Sequence, residues 1–325
     1  MAEGGCKEVI AMMKIACVGI LVADAIVETV SQYPEKGVMV PVNSISMCNG
    51  GNAMTASINL RRLGVESHIL GMIGSDMFGS FLKEKLTEAN VDIGGLKVSD
   101  SSQTSTSVLM IDDEGERSFF HCKGANAVFS EKDIDYDIIK SCDLVFVTGT
   151  FLLDSFDGEG TRDFLKRCKE MGKITFLDVC WDANGKWDKL LDMSMPYIDY
   201  LMPSIDEAKC IAKKEKPDDI ADVFNSKGAK NVIIKLGSKG SYLRKEGESK
   251  GVIYPSYYVE NPVDTVGAGD SFCSGFLAAF SRGEAIDACM KTGNAAGAFC
   301  VSSKGATAGI KSYGEITGFI KEREA

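Results

Sequence analysis

The segment Asp264-Thr265-Val266-Gly267-Ala268-Gly269-Asp270 places two glycines beside carboxylates in a short loop. It follows an extended stretch and opens a helical pattern. Gly267 and Gly269 permit backbone angles closed to other residues. Successive N–H groups can then turn inward and form a nest at the positive end of a helix. Such a nest binds an anion or stabilises charge developing on a phosphoryl group in transfer. Asp270 narrows the choice, because a plain anion site has no use for a carboxylate facing its ligand. A phosphotransferase has one: the attacking hydroxyl must lose its proton, and a carboxylate beside the phosphate path can take it. The competing reading is a glycine-rich turn in which Asp270 only caps the helix.

The elements that would carry this loop read as an α/β protein. Ile15–Val22 is a near-continuous apolar run, the pattern of a strand buried on both faces. Similar runs recur at 68–73, 144–147, 174–177, 200–202 and 231–236. Helical patterns lie between them at 52–63, 78–89, 160–171, 204–213 and 220–227. This alternation predicts a mostly parallel central sheet with helices on both faces, a three-layer arrangement. Two stretches break the rhythm. Residues 26–46 carry Val38-Met39-Val40 and Val42 with no helical period, and 105–122 reads as a hairpin around Asp112-Asp113-Glu114-Gly115. Together they predict a small β-sheet lid on the main domain, 13–325, with 1–12 as an N-terminal extension. A flap with one apolar face must be covered by substrate, by a second subunit, or by both. A homodimer through the lid is therefore expected.

Composition excludes several classes. The chain has 325 residues, long enough for one large core. Its 36 basic and 46 acidic residues give a net charge of −10, which argues against nucleic acid as partner. Eleven scattered cysteines contain no C-x-x-C pair and read as small buried hydrophobes in a reducing cytoplasm. The apolar segment 9–27 is interrupted by Lys14 and Asp24, too short a clean run to span a membrane. No G-x-G-x-x-G follows the first strand, which disfavours a dinucleotide enzyme. No Walker A motif is present.

The run DTVGAGDSFCSGF resembles the signature of the ribokinase-like (PfkB) carbohydrate kinases. The resemblance extends upstream to Gly50-Gly51-Asn52-Ala53 and GMIGSDMFG at 71–79, and downstream to NVIIKLGSKG at 231–240 and NAAGAFCVSSKGA at 294–306. It implies a ribokinase-like fold and an ATP-dependent kinase acting on a sugar or sugar acid, with Mg2+ accompanying ATP. Asp270 would be the general base, with Gly267, Ala268 and Gly269 supplying anion-hole amides. Asp24, Gly50, Gly51 and Asn52 would hold substrate hydroxyls. Ser204, Glu207, Lys235, Gly237 and Asn294 would line the nucleotide side, Glu207 close to magnesium. Asp264, Val266 and Ser303 fall where ligands of a monovalent cation such as K+ would lie.

One departure is clear. The family pattern N-x-x-E appears here as Ser204-Ile205-Asp206-Glu207. Serine lacks the amide donor, and Ser204 with Glu207 also reads as a capping box. Among the other polar residues, His68 reads as structural, and Thr104 and Thr106 read as ordinary strand polarity, with a hinge or substrate role as the other reading. His121 on the hairpin could face the substrate, and Trp181 with Asp182 could sit at the mouth of the site. Phe119 and Phe120 could stack on a base, so a nucleoside kinase is the alternative substrate class. A catalytically silent sugar-binding regulator is the alternative outside enzymes; retention of Asp270, Gly267 and Gly269 argues against it.

Overall fold

Apolar runs too short for helices become the strands of a large sheet. The computed structural model describes residues 12–114 and 116–324. In chain order the strands are β1 (Ile15–Gly19), β2 (Val22–Glu28), β3 (Ser44–Gly50), β4 (Ser67–Gly74), β5 (Asp92–Ser99), β6 (Thr106–Ile111), β7 (Arg117–Cys122), β8 (Leu144–Thr150), β9 (Ile174–Val179), β10 (Tyr200–Leu201), β11 (Asn231–Lys235), β12 (Ser241–Arg244) and β13 (Val252–Tyr254). Nine form one sheet in the order β13-β12-β11-β10-β9-β8-β1-β4-β5. From β11 to β5 all neighbours are parallel, and β12 and β13 add an antiparallel edge.

Strand alternation gives this sheet two buried faces. Ile15, Cys17, Leu144 and Phe146 belong to one core; Ala16, Val18, Val145 and Val147 belong to the other. The first core is closed by helices Asn52–Arg62, Met77–Glu88, Ala268–Phe280 and Ile286–Val301, the second by Glu159–Glu170, Ile205–Ala212 and Pro217–Ser226. Phe276 ties the helix after the glycine loop to the sheet, meeting Phe176 with ring centroids 6.0 Å apart. Burying such a ring contributes about 1.5–3 kcal/mol. The three-layer ribokinase-like architecture with a small second sheet is the one expected. The ten cysteines among the described residues are free thiols. Among those residues no helix is long and apolar enough to cross a membrane.

Several boundaries differ from the sequence reading. The run 15–22 is not one strand: β1 ends at Gly19 and β2 starts in the other sheet. At Gly19 the chain passes the β8 backbone so closely that a Cβ would lie 1.8 Å from the Thr148 carbonyl oxygen. Asn126 then clamps the crossing, accepting the Leu21 N–H and donating to the Leu21 carbonyl at 3.2 and 2.9 Å. Strands β5, β12 and β13 were not anticipated: β5 and β12 carry polar residues or glycines in place of a long apolar run, and β13 is only three residues long. Val38-Met39-Val40 and Val42 lie in the connection between β2 and β3, outside any strand. Of the N-terminal extension only Met12 is among the described residues, and Gly115 of the hairpin turn lies outside them.

The second sheet has the order β3-β2-β6-β7. Cross-strand neighbours share a face. Hence Cys48, Asp24, Ser107 and His121 form one row, Ser46, Ile26, Leu109 and Phe119 the next, and Ser44, Glu28, Ile111 and Arg117 the last on that face. Ile45, Met47 and Phe120 fall on the opposite face. Two ion pairs orient the plate. Arg117 meets Asp264, and Glu28 meets Lys304, both at 2.6 Å. The Asp24 face therefore looks toward the glycine loop, and this smaller sheet is the one called the lid below.

Candidate active site

The glycine loop ends at Gly267, which has φ 77° and precedes the helix Ala268–Phe280. That left-handed angle favours glycine. A Cβ there would also meet Ala306 Cβ at 2.4 Å. Gly269 is different. Its Cβ would meet only the Lys235 side chain, at 3.5 Å from Nζ. Neither its own conformation nor protein packing requires glycine, so the free space above it is room for a ligand. Ala268 N–H reaches back to the Thr265 carbonyl at 3.3 Å. The amides of Gly269 and Asp270 belong to the same first helical turn, which has no intrahelical acceptor for them.

Asp270 is half-buried in this turn and accepts a hydrogen bond from Asn52 Nδ2 at 2.7 Å. Asn52 opens the helix Asn52–Arg62, and Gly51 before it has φ 87°. A Cβ at Gly51 would press on the Ile20 carbonyl at 2.6 Å. The turn after β3 thus aims Asn52 at the start of the other helix. Burial raises the Asp270 pKa; Lys235 and the Asn52 hydrogen bond oppose the rise, and Glu207 adds to it. A carboxylate raised in this way is a better proton acceptor than a free one.

Asn52, Asp270, Gly267 and Gly269 share a 510 Å³ cleft with Asp178, Ser204, Glu207, Lys235 and Gly237. These residues come from the ends of four strands, β3, β9, β10 and β11, with the turns and helix starts that follow them, and from the start of the helix Ala268–Phe280. Lys235, at the end of β11, places its ammonium 2.7 Å from each oxygen of Asp178, near the end of β9. Asp178 is fully buried and Lys235 nearly so. Burial disfavours the ammonium, but Asp178, Cys273 and Glu207 outweigh it and hold Lys235 protonated. The lysine thus presents a fixed positive charge beside Gly269. Sequence reasoning found Lys235 but missed Asp178; a lone aspartate ending an apolar strand was the available signal.

Ser204 and Glu207 form the capping box. Ser204 Oγ accepts from Glu207 N–H, and Glu207 Oε2 accepts from Ser204 N–H at 2.8 Å. Glu207 nonetheless lines the cleft and has its other oxygen to offer. Gly237, with φ 61° and open space around it, forms the floor near Lys235. Asn294 is not brought to the cleft lining. Its amide donates to the Tyr254 and Pro255 carbonyls, both at 3.1 Å, and anchors the helix Ile286–Val301 to the edge of the sheet.

On the lid, burial pushes Asp24 up to about 6, tempered by a hydrogen bond from Ser107. Gly50 is kept small by this residue, since a Cβ there would stand 1.9 Å from Asp24 Oδ2. Ser107 in turn pairs with His121 Nδ1 at 3.0 Å, so the histidine joins the Asp24 row. Asp264 accepts from Val266 N–H and Gly305 N–H, each at 2.9 Å, and so sews the glycine loop to the turn containing Ser303.

Other polar residues are structural. His68 sits between Glu66 and Asp92 at the sheet end. Thr104 bonds Asp76 and Gly74 and fixes the base of the lid, while Thr106 donates to the Thr104 carbonyl. Asp182 accepts the Asn184 and Trp187 amides of its own loop, and Trp181 packs against Trp187.

Comparison with known proteins places the chain in a family. The profile of the pfkB family carbohydrate kinases matches residues 12–312. Ribokinase of Haemophilus influenzae is 25% identical over 314 residues, covering 94% of this chain and 98% of its own. Aminoimidazole riboside kinase of Salmonella typhimurium is 27% identical, covering 95% and 96%. The structure of Arabidopsis thaliana ribokinase complexed with ribose and ATP superposes with a TM-score of 0.83 at 24% identity, over 95% of this chain and 99% of that one. A shared fold, a helix start with its half-buried aspartate, and a profile match over nearly the whole length lead to one conclusion: the chain belongs to the pfkB family of carbohydrate kinases, phosphotransferases that act on an alcohol group.

Proposed function

We propose that the protein transfers the γ-phosphate of ATP to a hydroxyl of a monosaccharide or sugar acid, with Asp270 as general base. The observation that carries this reading is the meeting of Asn52 and Asp270 at the mouth of a glycine-floored helix terminus. Asn52 orients the carboxylate, and the raised proton affinity of Asp270 suits it to take the hydroxyl proton. The amides of Gly269 and Asp270, together with the Lys235 ammonium, provide positive potential where negative charge develops. Asp24 on the lid accepts hydrogen bonds from substrate hydroxyls, and the lid excludes water that would otherwise compete.

The cleft fits a magnesium-bound nucleotide triphosphate. Lys235, Gly237 and the first helical turn would hold phosphate oxygens, and Glu207 would face the Mg2+ through its hydration shell. Bound Mg-ATP supplies the phosphoryl group; this chain supplies orientation, positive charge and the base.

A nucleoside is the second substrate reading. Phe119 is 56% exposed on the same lid face as Asp24, where a base could stack. On the outer lid face Ile45 and Phe120 are about as exposed, and a second copy of the chain would cover them. Sedimentation velocity tests that dimer; a monomer at micromolar concentration would refute it. For the function, ADP release is measured against monosaccharides, sugar acids and nucleosides. Turnover with a sugar or sugar acid is expected. Selective thermal stabilisation by a sugar without ADP release would favour a silent binding protein, and preferential nucleoside turnover would favour the second reading.

A further inference from the structure

The carboxylate of Asp264 stands beside the anion-binding turn, where an uncompensated negative charge would oppose an incoming phosphate. The family resemblance implies a monovalent cation at Asp264, Val266 and Ser303. The contacts of Asp264 give a different answer. Oδ1 accepts the Val266 N–H and also the Arg117 Nη2, the latter at 2.6 Å, while Oδ2 accepts the Gly305 N–H. Both side chains are largely buried, 23% and 13% exposed. A guanidinium already neutralises the carboxylate and Oδ1 already takes two hydrogen bonds, so an additional cation would find no net negative charge on Asp264, and the site does not fit one there.

Arg117 does not come from the domain that carries the loop. It is the first residue of β7 on the lid, in the same row as Glu28, which grips Lys304 at 2.6 Å. Lys304 adjoins Gly305, and Ala306 packs against Gly267. The lid row thus holds the loop from the Asp264 side and the supporting turn from the Lys304 side. A guanidinium is permanently charged and directional, unlike an exchangeable ion. Its charge reaches Asp264 only while the lid lies over the cleft.

We propose that Arg117 is a lid-borne positioning residue: it supplies the positive charge that holds the Asp264–Gly267 loop in shape, so that phosphoryl transfer needs no monovalent cation and the loop is completed by lid closure. The proposal rests on the reading of residues 267–270 as the phosphoryl-transfer site.

The test compares wild type, Arg117→Lys and Arg117→Met on an accepted sugar, in potassium chloride and in tetramethylammonium chloride at equal ionic strength. Wild-type kcat should be the same in both salts. Arg117→Met should lose roughly 10- to 100-fold in kcat in tetramethylammonium, the scale of a small displacement of catalytic groups, and regain part of it in potassium. Arg117→Lys should retain most of the rate without potassium. Thermal unfolding of each variant shows that the fold persists. A wild-type enzyme that needs potassium overturns the proposal. So does an Arg117→Met enzyme with the wild-type rate, or an equal loss in the Met and Lys variants that potassium does not relieve. Failure of the underlying site reading appears separately, as full activity of Asp270→Asn.

Discussion

Replacing Asp270 with Asn separates chemistry from structure at this site. The side chain keeps its shape, and its carbonyl oxygen can still accept the 2.7 Å hydrogen bond from Asn52. The helix Ala268–Phe280 keeps its polar first turn and its anchor through Phe276. What disappears is the ability to take a proton at neutral pH. General-base catalysis contributes about 10²–10⁴ in rate, which corresponds to roughly 3–5 kcal/mol of barrier. The loss should fall on kcat rather than on ligand affinity, because the proton moves only as the transition state forms. Stability should not fall: burial raises the Asp270 pKa, so the native state holds its ionised form at a cost that Asn removes. ADP release under conditions where chemistry limits the rate gives kcat, calorimetry gives the affinities, and thermal unfolding gives stability. A mutant within about threefold of wild-type kcat would show that Asp270 is not the base, since such an effect is far below the general-base range.

Three further outcomes are expected. Lys235→Met strands the buried Asp178 carboxylate and should lower unfolding free energy by about 3–5 kcal/mol, whereas adding Asp178→Asn should restore much of it; additive losses in a denaturant titration would contradict the buried pair. Gly269→Ala should change stability by no more than roughly 1 kcal/mol yet lower kcat about a hundredfold, because its methyl group meets no protein atom closer than Lys235 but fills the space kept for phosphate; wild-type kcat in a folded Gly269→Ala protein would refute the cradle. With Asp24 raised to about 6, its carboxylate is protonated as pH falls through that value, so kcat/KM should drop on that side and the limb should flatten in Asp24→Asn; an unmoved limb would exclude Asp24.

The parts of the fold legible in the sequence are those with strong local signals. The parallel strands announced themselves as apolar runs, and Asp264–Asp270 combined loop chemistry with a helix start. β5 did not, because Asp92-Ile93-Gly94-Gly95 has neither alternation nor bulk and is held as a strand by its neighbour β4. The split of 15–22 between two sheets was hidden for a related reason: Ile20 and Leu21 are as apolar as a strand interior, and only the passage of Gly19 against β8 breaks the run. At the site, Asp270 and Asn52 were readable singly, but their contact spans more than two hundred residues of chain and is set by packing. The pairings of Arg117 and Asp178 were hidden for the same cause, although Asp178 itself stood out as a lone aspartate ending an apolar strand. Their partners, Asp264 and Lys235, lie on other elements, and no spacing rule connects them. The capping role of Ser204 was legible from its spacing to Glu207, and the capping box is formed.

The two residues between β1 and β2 have a mechanical consequence. Strand β1 of the large sheet and the inner strand β2 of the small one are joined by Ile20 and Leu21 alone, with Leu21 clamped on both sides by Asn126. A joint this short allows tilt but little translation. Asp24 sits just beyond the joint on the tilting plate, while Asn52 and Asp270 are fixed to the base. Arg117 rides at the far row of the same plate. A small angle at the joint would therefore be a small displacement at Asp24 and a larger one at Arg117, so the Arg117–Asp264 contact is the part of the plate most sensitive to its tilt.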